Sequence, residues 1–550
     1  MKTMIAKRIW ATLDPFVEQG PILGRTQANA GFLRGLLDLD PYDAYRFYPA
    51  SAGACAQLSG ALSERWPDLW GQGRIEVIER RQLPGQLRAT PHHVFHLSDC
   101  IMHPGYLAAV RNACSGQIFP ITSVTHSLSY ARYGQDFLKH LSPCTTPRDA
   151  VVATSRAAVG VVREFYRFLR EGYGLDPAVH REPAVEHVPL GVDLDEFQAQ
   201  DEIRRARCRR SLGFGGEVVF LVLARLCHTS KMDFLPILRA FHRLSLGGFR
   251  LEGARLVLAG WTDESDWGRG VLEDLARNIG LPLTVAERPT DEQRRAFYAA
   301  ADVFLSPSDN LQETFGLTLL EAQASGLPVI ASDFDGYRDL VLPEESGLLV
   351  PTMGPSATEG VDLLAPMCFD NHTHLLLAQR MAVDVPAMAG AIRRLAESPG
   401  LRREMGRAGV RNASGYSWRA VAGRYADLWE KLWTREVPES PGTRHPSAVV
   451  YARVFAGFPA EVVGSAVTLT ASRLGNAVYR GQDFPLVYEG LEAVVDEQAM
   501  RAVLVFARKP VAAAELTEKL MAAQPGMNAE KAQALVLWCL KHDLLERTHA

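Results

Sequence analysis

Short apolar, β-branched runs alternate with helix-like segments through most of this chain, and the alternation occurs twice. The first series has strand candidates at residues 5–13, 45–48, 75–78, 94–97, 118–125, 151–153 and 185–188, with a helix at 28–37 after the first of them. A charged segment at 201–210 precedes the second series, with strands at 218–223, 256–259, 283–285, 303–305 and 347–350 and helices at 231–244 and 294–300. Strands that alternate with helices need crossover connections, and these give a mostly parallel sheet covered by helices on both faces. The predicted fold class is therefore α/β, doubly wound, and 550 residues are too many for one ordinary core. Ligands of such sheets lie beyond the carboxyl ends of the strands. Gly24, closing the loop Gly20-Pro21-Ile22-Leu23-Gly24, and His126, after the run 118–125, occupy positions of that kind.

The division predicted is an N-terminal domain over 1–200, a second α/β domain over 201–435 that ends in helices at 385–397, 401–413 and 418–433, a linker at 436–448, and an accessory domain over 449–550. The linker rests on three prolines, a glycine and a serine between Pro438 and Pro446. Residues 449–488 fit no single pattern, whereas 497–507, 513–522 and 529–541 read as three short helices before Leu544-Leu545, resembling a winged-helix module. The third of these is mostly apolar and offers only Lys531 and Lys541, too little cationic surface for a helix that reads DNA. Protein docking or self-association is the expected role of this module.

Composition narrows the function classes. A net charge of −4 gives no sign of a phosphate-tracking surface, so nucleic acid is not an expected partner. No apolar run approaches the ~20 residues that span a bilayer, and the start MKTMIAKRIW reads as a first strand rather than a signal peptide. The eight cysteines are scattered, with no Cys-x-x-Cys and no Cys/His cluster, which argues against structural zinc and a disulfide framework. These features predict a cytoplasmic protein, with the inner face of the membrane as a peripheral alternative.

The stretch SPSDNLQETFGLTLLEAQASGLPVI, residues 306–330, has the pattern of loop, helix N-terminus, short helix, Gly-Pro stop and strand. Its glutamates, Glu313 and Glu321, would not share a face inside one helix, since eight positions turn roughly 80° past two full turns. They converge better with Glu313 on the entering loop and Glu321 in the helix. An open helix N-terminus suits a phosphate, and the amides of Phe315, Gly316 and Leu317 are the candidates. Carboxylates repel a phosphate but accept hydrogen bonds from hydroxyls, as on a sugar or ribose. Spacing alone is equally that of an ordinary surface helix. Arg225 and Lys231, beyond the strand at 218–223, with Lys231 expected to open the next helix, supply the cationic charge that would hold a diphosphate without a metal.

Four segments together resemble a known family. Leu223-Ala224-Arg225-Leu226 with Lys231, Leu258-Ala259-Gly260, the run Ala301-Asp302-Val303-Phe304-Leu305-Ser306-Pro307-Ser308, and the stretch from Glu313 to Ile330 are similar to the family 4 (GT4-like) retaining glycosyltransferases of the GT-B fold. Trp418, following Gly-Tyr-Ser, is similar to the final-helix motif of that family. The resemblance is strong over 218–433, weaker before residue 200, and does not reach 449–550.

The resemblance implies two Rossmann-like domains facing a cleft, and a hexosyltransferase of glycan biosynthesis with a nucleotide-diphosphate sugar as donor and no cofactor. The expected acceptor is a glycan, a lipid-linked glycan or a small molecule. It implies that Arg225 and Lys231 bind the donor diphosphate, that Glu313 and His126 lie at the transferred sugar, and that Glu321 binds the nucleotide ribose. Phe315, Gly316 and Leu317 would give backbone contacts, and Gly24 would belong to the glycine loop of the first domain, although Gly20 to Arg25 departs from the usual double glycine. Front-face attack, with the leaving phosphate taking the acceptor's proton, is the implied retaining mechanism. A sugar-nucleotide epimerase or a glycan phosphorylase on the same fold is the alternative. The triplets Asp38-Leu-Asp40, Asp193-Leu-Asp195 and Asp333-Phe-Asp335 are short and common, and no metal site is expected from them.

Overall fold

The structure is a computed structural model that describes residues 7–17, 24–262, 268–368, 371–463, 467–491 and 494–548. By packing, the chain divides into a large unit, 1–448, and a smaller one, 449–550.

The large unit holds two parallel sheets. The first comprises β1 (Ile9–Thr12), β2 (Ala44–Phe47), β3 (Ile75–Val77), β4 (Val94–Leu97), β5 (Ile121–Val124), β6 (Ala150–Ala153) and β7 (Ala184–His187), in the order β3-β2-β1-β4-β5-β6-β7. The second comprises β8 (Val218–Arg225), β9 (Ala254–Trp261), β10 (Leu283–Glu287), β11 (Val303–Ser306), β12 (Val329–Ser332) and β13 (Gly347–Val350), in the order β10-β9-β8-β11-β12-β13. Strands buried on both faces must be apolar along their length, and β8 and β11 are buried almost throughout. In each sheet the winding direction reverses once, between β1 and β4 and between β8 and β11. These are the switch points at which a crevice opens.

Local chemistry sets the helix limits. The helix Asp291–Ala300 starts at a capping box in which Thr290 and Gln293 satisfy each other's backbone donors. The helix after β8 is Leu235–Leu246, not one opened by Lys231: Pro236 fixes the first turn, and Lys231 lies in the turn before it. The helix Trp418–Trp433 was expected to close the second domain, but it packs on the first sheet instead. Trp418, Tyr425 and Trp429 join Trp10, Phe32 and Tyr45 in one core, and Trp429 Nε1 donates to Thr122 Oγ1 at 2.9 Å. Gly35 lets the crossing chain approach, since a Cβ there would lie 2.4 Å from the Trp418 carbonyl oxygen. Apolar periodicity predicts this helix but cannot say which sheet it covers.

Residues 449–550 form a separate core. The strand β16 (Thr468–Ala471) pairs antiparallel with β17 (Val511–Ala512) and β18 (Leu545–Arg547), following two short strands, β14 (Thr352–Met353) and β15 (Ala382–Val383), of the large unit. Leu469, Val503, Leu516, Leu520, Leu535 and Cys539 are buried between this sheet and the helices Glu497–Phe506, Ala513–Ala523 and Ala529–Lys541. The ambiguous stretch thus supplies the central strand, and the Leu-rich end is a strand as well. Among the described residues no helix is long and apolar enough to cross a membrane.

Candidate functional site

The two strands that flank the second switch point carry the charged residues. Arg225 is the last residue of β8 and is exposed, its Nη1 donating to Ser230 Oγ at 3.2 Å. The loop after β8 is stitched to the loop after β11: Asn310 Nδ2 donates to the Thr229 carbonyl at 3.0 Å, and Ser308 Oγ to the Lys231 carbonyl at 3.1 Å. This brings Lys231 Nζ onto Glu313 Oε2 as a hydrogen-bonded ion pair, although the two residues are 82 apart in sequence.

Glu313 sits on the loop and Glu321 in the helix Leu317–Ala324. The Glu313 carboxylate accepts from the Tyr337 hydroxyl at 3.2 Å and from the amides of Thr314 and Phe315, both at 3.2 Å. Burial pushes its pKa up, but Lys231, with the Phe315 amide and the Tyr337 hydroxyl, outweighs burial and holds it below the usual carboxylate range. The Phe315 amide, expected to face a phosphate, is therefore turned onto Glu313. In the helix's first turn the Leu319 amide donates to the Gly316 carbonyl at 3.0 Å, which leaves the amides of Leu317 and Thr318 as those an anion could meet. Gly316 caps this helix at φ 103°, and a Cβ there would meet the Tyr337 ring at 2.5 Å, so only glycine fits.

Glu321 faces other partners. Tyr298 donates to its Oε2 at 2.7 Å and Arg294 Nη1 lies 3.6 Å from its Oε1. Burial pushes its pKa up to about 7 despite Arg294 and Tyr298. The two glutamates thus differ in charge state near neutrality, each set by its own surroundings, and they do not form one acid–base pair.

His126 lies two residues beyond β5, and its Nε2 donates to the Ser98 carbonyl at 2.7 Å, fixing the ring beside the first switch point, where the Ser98 amide donates to Asp14 Oδ2 at 2.7 Å. Gly24 opens the helix Gly24–Leu39, where a Cβ would meet nothing within 4 Å, so no close approach requires glycine there. Gly20 to Leu23 lie outside the described residues.

Several site residues are invisible to motif spacing. Tyr337 supports Glu313 from 24 positions downstream, and Ser306 Oγ lies 2.8 Å from its hydroxyl. Asp335, weighed in the sequence only within a metal-like triplet, is half-buried beside Glu313 with its pKa pushed up to about 7, by desolvation and then by that neighbouring charge. It accepts from Ser155 Oγ of the first lobe at 3.4 Å. The other triplets are spent on arginines: Arg74 Nη1 donates to Asp40 Oδ2 and Arg34 Nη2 to Asp193 Oδ2, both at 2.6 Å. Among the described residues no three His, Cys, Asp or Glu converge in a way that could hold a metal ion. Pairing over long sequence distances is the signal that spacing lacks.

Comparisons with known proteins agree with this geometry. The family described as "Glycosyl transferases group 1" matches residues 217–361, the segment that carries Arg225, Lys231, Glu313 and Glu321. The D-inositol 3-phosphate glycosyltransferase of Xylanimonas cellulosilytica is 30% identical over 334 residues, covering 56% of this chain and 74% of that protein. Among solved structures, HepE from Anabaena in complex with UDP superposes with a TM-score of 0.52 at 13% identity, over 77% of this chain and 100% of that one. The sucrose-phosphate synthase of Thermosynechococcus elongatus gives 0.50 at 19% identity, over 78% of this chain and 99% of that one. These two likenesses are of fold.

Proposed function

Because the chain belongs to the family 4 glycosyltransferases of the GT-B fold, and so transfers sugar from a nucleotide-sugar donor, we propose that it retains the configuration of that sugar and needs no metal to do so. The observation that carries this reading is the Lys231–Glu313 pair at the β8/β11 switch point, with Arg225 at the end of β8. Lys231 is a diphosphate ligand and Glu313 a hydroxyl acceptor, and each neutralises the other while no donor is bound. A donor that offers phosphate to one and sugar hydroxyls to the other replaces this pair with two better-matched contacts.

As the bond from the anomeric carbon to the phosphate oxygen breaks, negative charge grows on the leaving diphosphate. Arg225, Lys231 and the first-turn amides of the helix Leu317–Ala324 are arranged to stabilise it before the reaction begins. The acceptor oxygen bonds to the same face of the anomeric carbon, and its proton passes to the departing phosphate oxygen. Glu313 and His126 hold the transferred sugar, Glu321 the ribose, and Gly24 contacts the donor from the first lobe. The acceptor is a hydroxylated molecule, and the name borne by the curated relative makes D-inositol 3-phosphate the first to test.

A thermal-shift screen with UDP-, GDP-, ADP- and TDP-sugars identifies the donor. Proton NMR of the product is then expected to show the anomeric configuration of the donor, with turnover unchanged in EDTA. An inverted product overturns the retaining reading, and abolition by EDTA overturns the metal-free one.

A further inference from the structure

Between β13 and the helix Val385–Glu397 the chain makes an excursion that the sequence patterns do not announce. β14 and β15 pair antiparallel at its base, with Thr352 opposite Val383, and between them stand the helices Glu359–Cys368 and Asn371–Ala378. Thr352 Oγ1 donates to the Asp333 carbonyl at 2.7 Å and Gln379 Nε2 to Asp233 Oδ2 at 3.1 Å, so the excursion is anchored on the loops after β12 and β8.

Its second helix carries His374, which is 3% exposed and engaged at both ring nitrogens. Gln312 Nε2 lies 2.8 Å from Nδ1, and Ser129 Oγ lies 2.9 Å from Nε2. An amide nitrogen only donates, so Nδ1 accepts and Nε2 carries the proton that is donated to Ser129. The Tyr130 ring packs edge-on against the imidazole at 5.0 Å. Gln312 immediately precedes Glu313 on the loop after β11, and Ser129 follows His126 by three residues on the loop after β5. The two loops belong to different sheets, and one buried side chain joins them.

We propose that His374 is a positioning residue, a latch that holds the Glu313 loop of one lobe against the His126 loop of the other so that both meet the transferred sugar in one geometry. The proposal rests on the site reading above. A buried ring whose partners are removed leaves polar groups unsatisfied on both sides, so the arrangement tolerates little slack. Small misplacements of reacting groups are expensive in rate.

Hydrogen exchange on the ligand-free full chain tests the latch without knowledge of the substrate. His374→Ala and Ser129→Ala are each expected to raise exchange in the loops 127–133 and 310–316. Ser129→Ala is decisive, because it must loosen a loop of the lobe to which Ser129 does not belong. Unchanged exchange at 310–316 in Ser129→Ala, or loosening confined to 359–378 in His374→Ala, overturns the proposal. In transfer assays both variants are expected to lose about tenfold in kcat while affinity for UDP and GDP changes by no more than about twofold. His374→Gln, which keeps a donor and an acceptor, is expected to recover part of the loss. A parallel loss of nucleotide affinity, or no recovery, also counts against the latch. Full activity in Glu313→Gln would instead remove the site reading, whatever the exchange data show.

Discussion

Charged groups in this site are placed by long-range pairing, and their protonation follows from burial. Glu313 is held ionised by Lys231, whereas Glu321, Asp335 and Asp309 are pushed up to about 7, with burial the largest cause in each. Asp309 lies outside the proposed chemistry and makes the clearest test. It accepts from the Asp233 amide at 3.3 Å, and the Asp233 carboxylate is the second cause of its shift. A carboxyl raised in the folded state keeps a proton that the unfolded chain has already lost, so stability falls as pH rises from about 4 to about 7. Asp309→Asn removes this penalty while keeping an acceptor for the amide. The melting temperature of the variant, relative to the wild type, is expected to be higher at about pH 8 than at about pH 5; a difference independent of pH contradicts the assignment. Arg225, Lys231, Glu313 and Glu321 were singled out in the sequence because the segments that carry them resemble those of a known family. Tyr337, Tyr298, Arg294 and Asp335 were not, since each reaches the site through tertiary packing that leaves no local pattern.

Strands and helices were more legible than their neighbours in space. Alternation and β-branching located the strands of the two large sheets, and inner ones such as β8 and β11 stand out because strands buried on both faces have nowhere to place polar side chains. The helices of the excursion at 352–383 escaped notice: Pro366 interrupts the first, and neither has an apolar stripe that fits a surface helix. The crossing helix Trp418–Trp433 was found and counted with the second domain, whereas it packs on the first sheet, since an apolar stripe does not state its partner. Trp418 is nearly buried against Gly31, Gly35 and Gly191. Trp418→Ala is expected to destabilise the protein by about 3–5 kcal/mol through the cavity it leaves. Hydrogen exchange should report the loosening in the helix Gly24–Leu39. Exchange that rises only around the second sheet would contradict the packing described.

At the scale of the molecule, the two sheets of the large unit share a crossing helix, while residues 449–550 close a core of their own. Residues 449–550 expressed alone are therefore expected to unfold cooperatively in denaturant; a non-cooperative transition would contradict an independent core. The fold class was readable because strand order and length dictate it. In the small unit only the helices were assigned and 449–488 stayed ambiguous, since its strands are two to four residues long and too short to show a period of two. The central claim is that sugar transfer takes place where Lys231 meets Glu313. Its most direct test is acceptor-dependent release of nucleoside diphosphate by the wild type and by Glu313→Gln, a substitution that keeps the shape and removes the charge. The variant is expected to bind nucleotide and remain folded while kcat/KM falls by at least about 100-fold; turnover near that of the wild type would place the chemistry elsewhere.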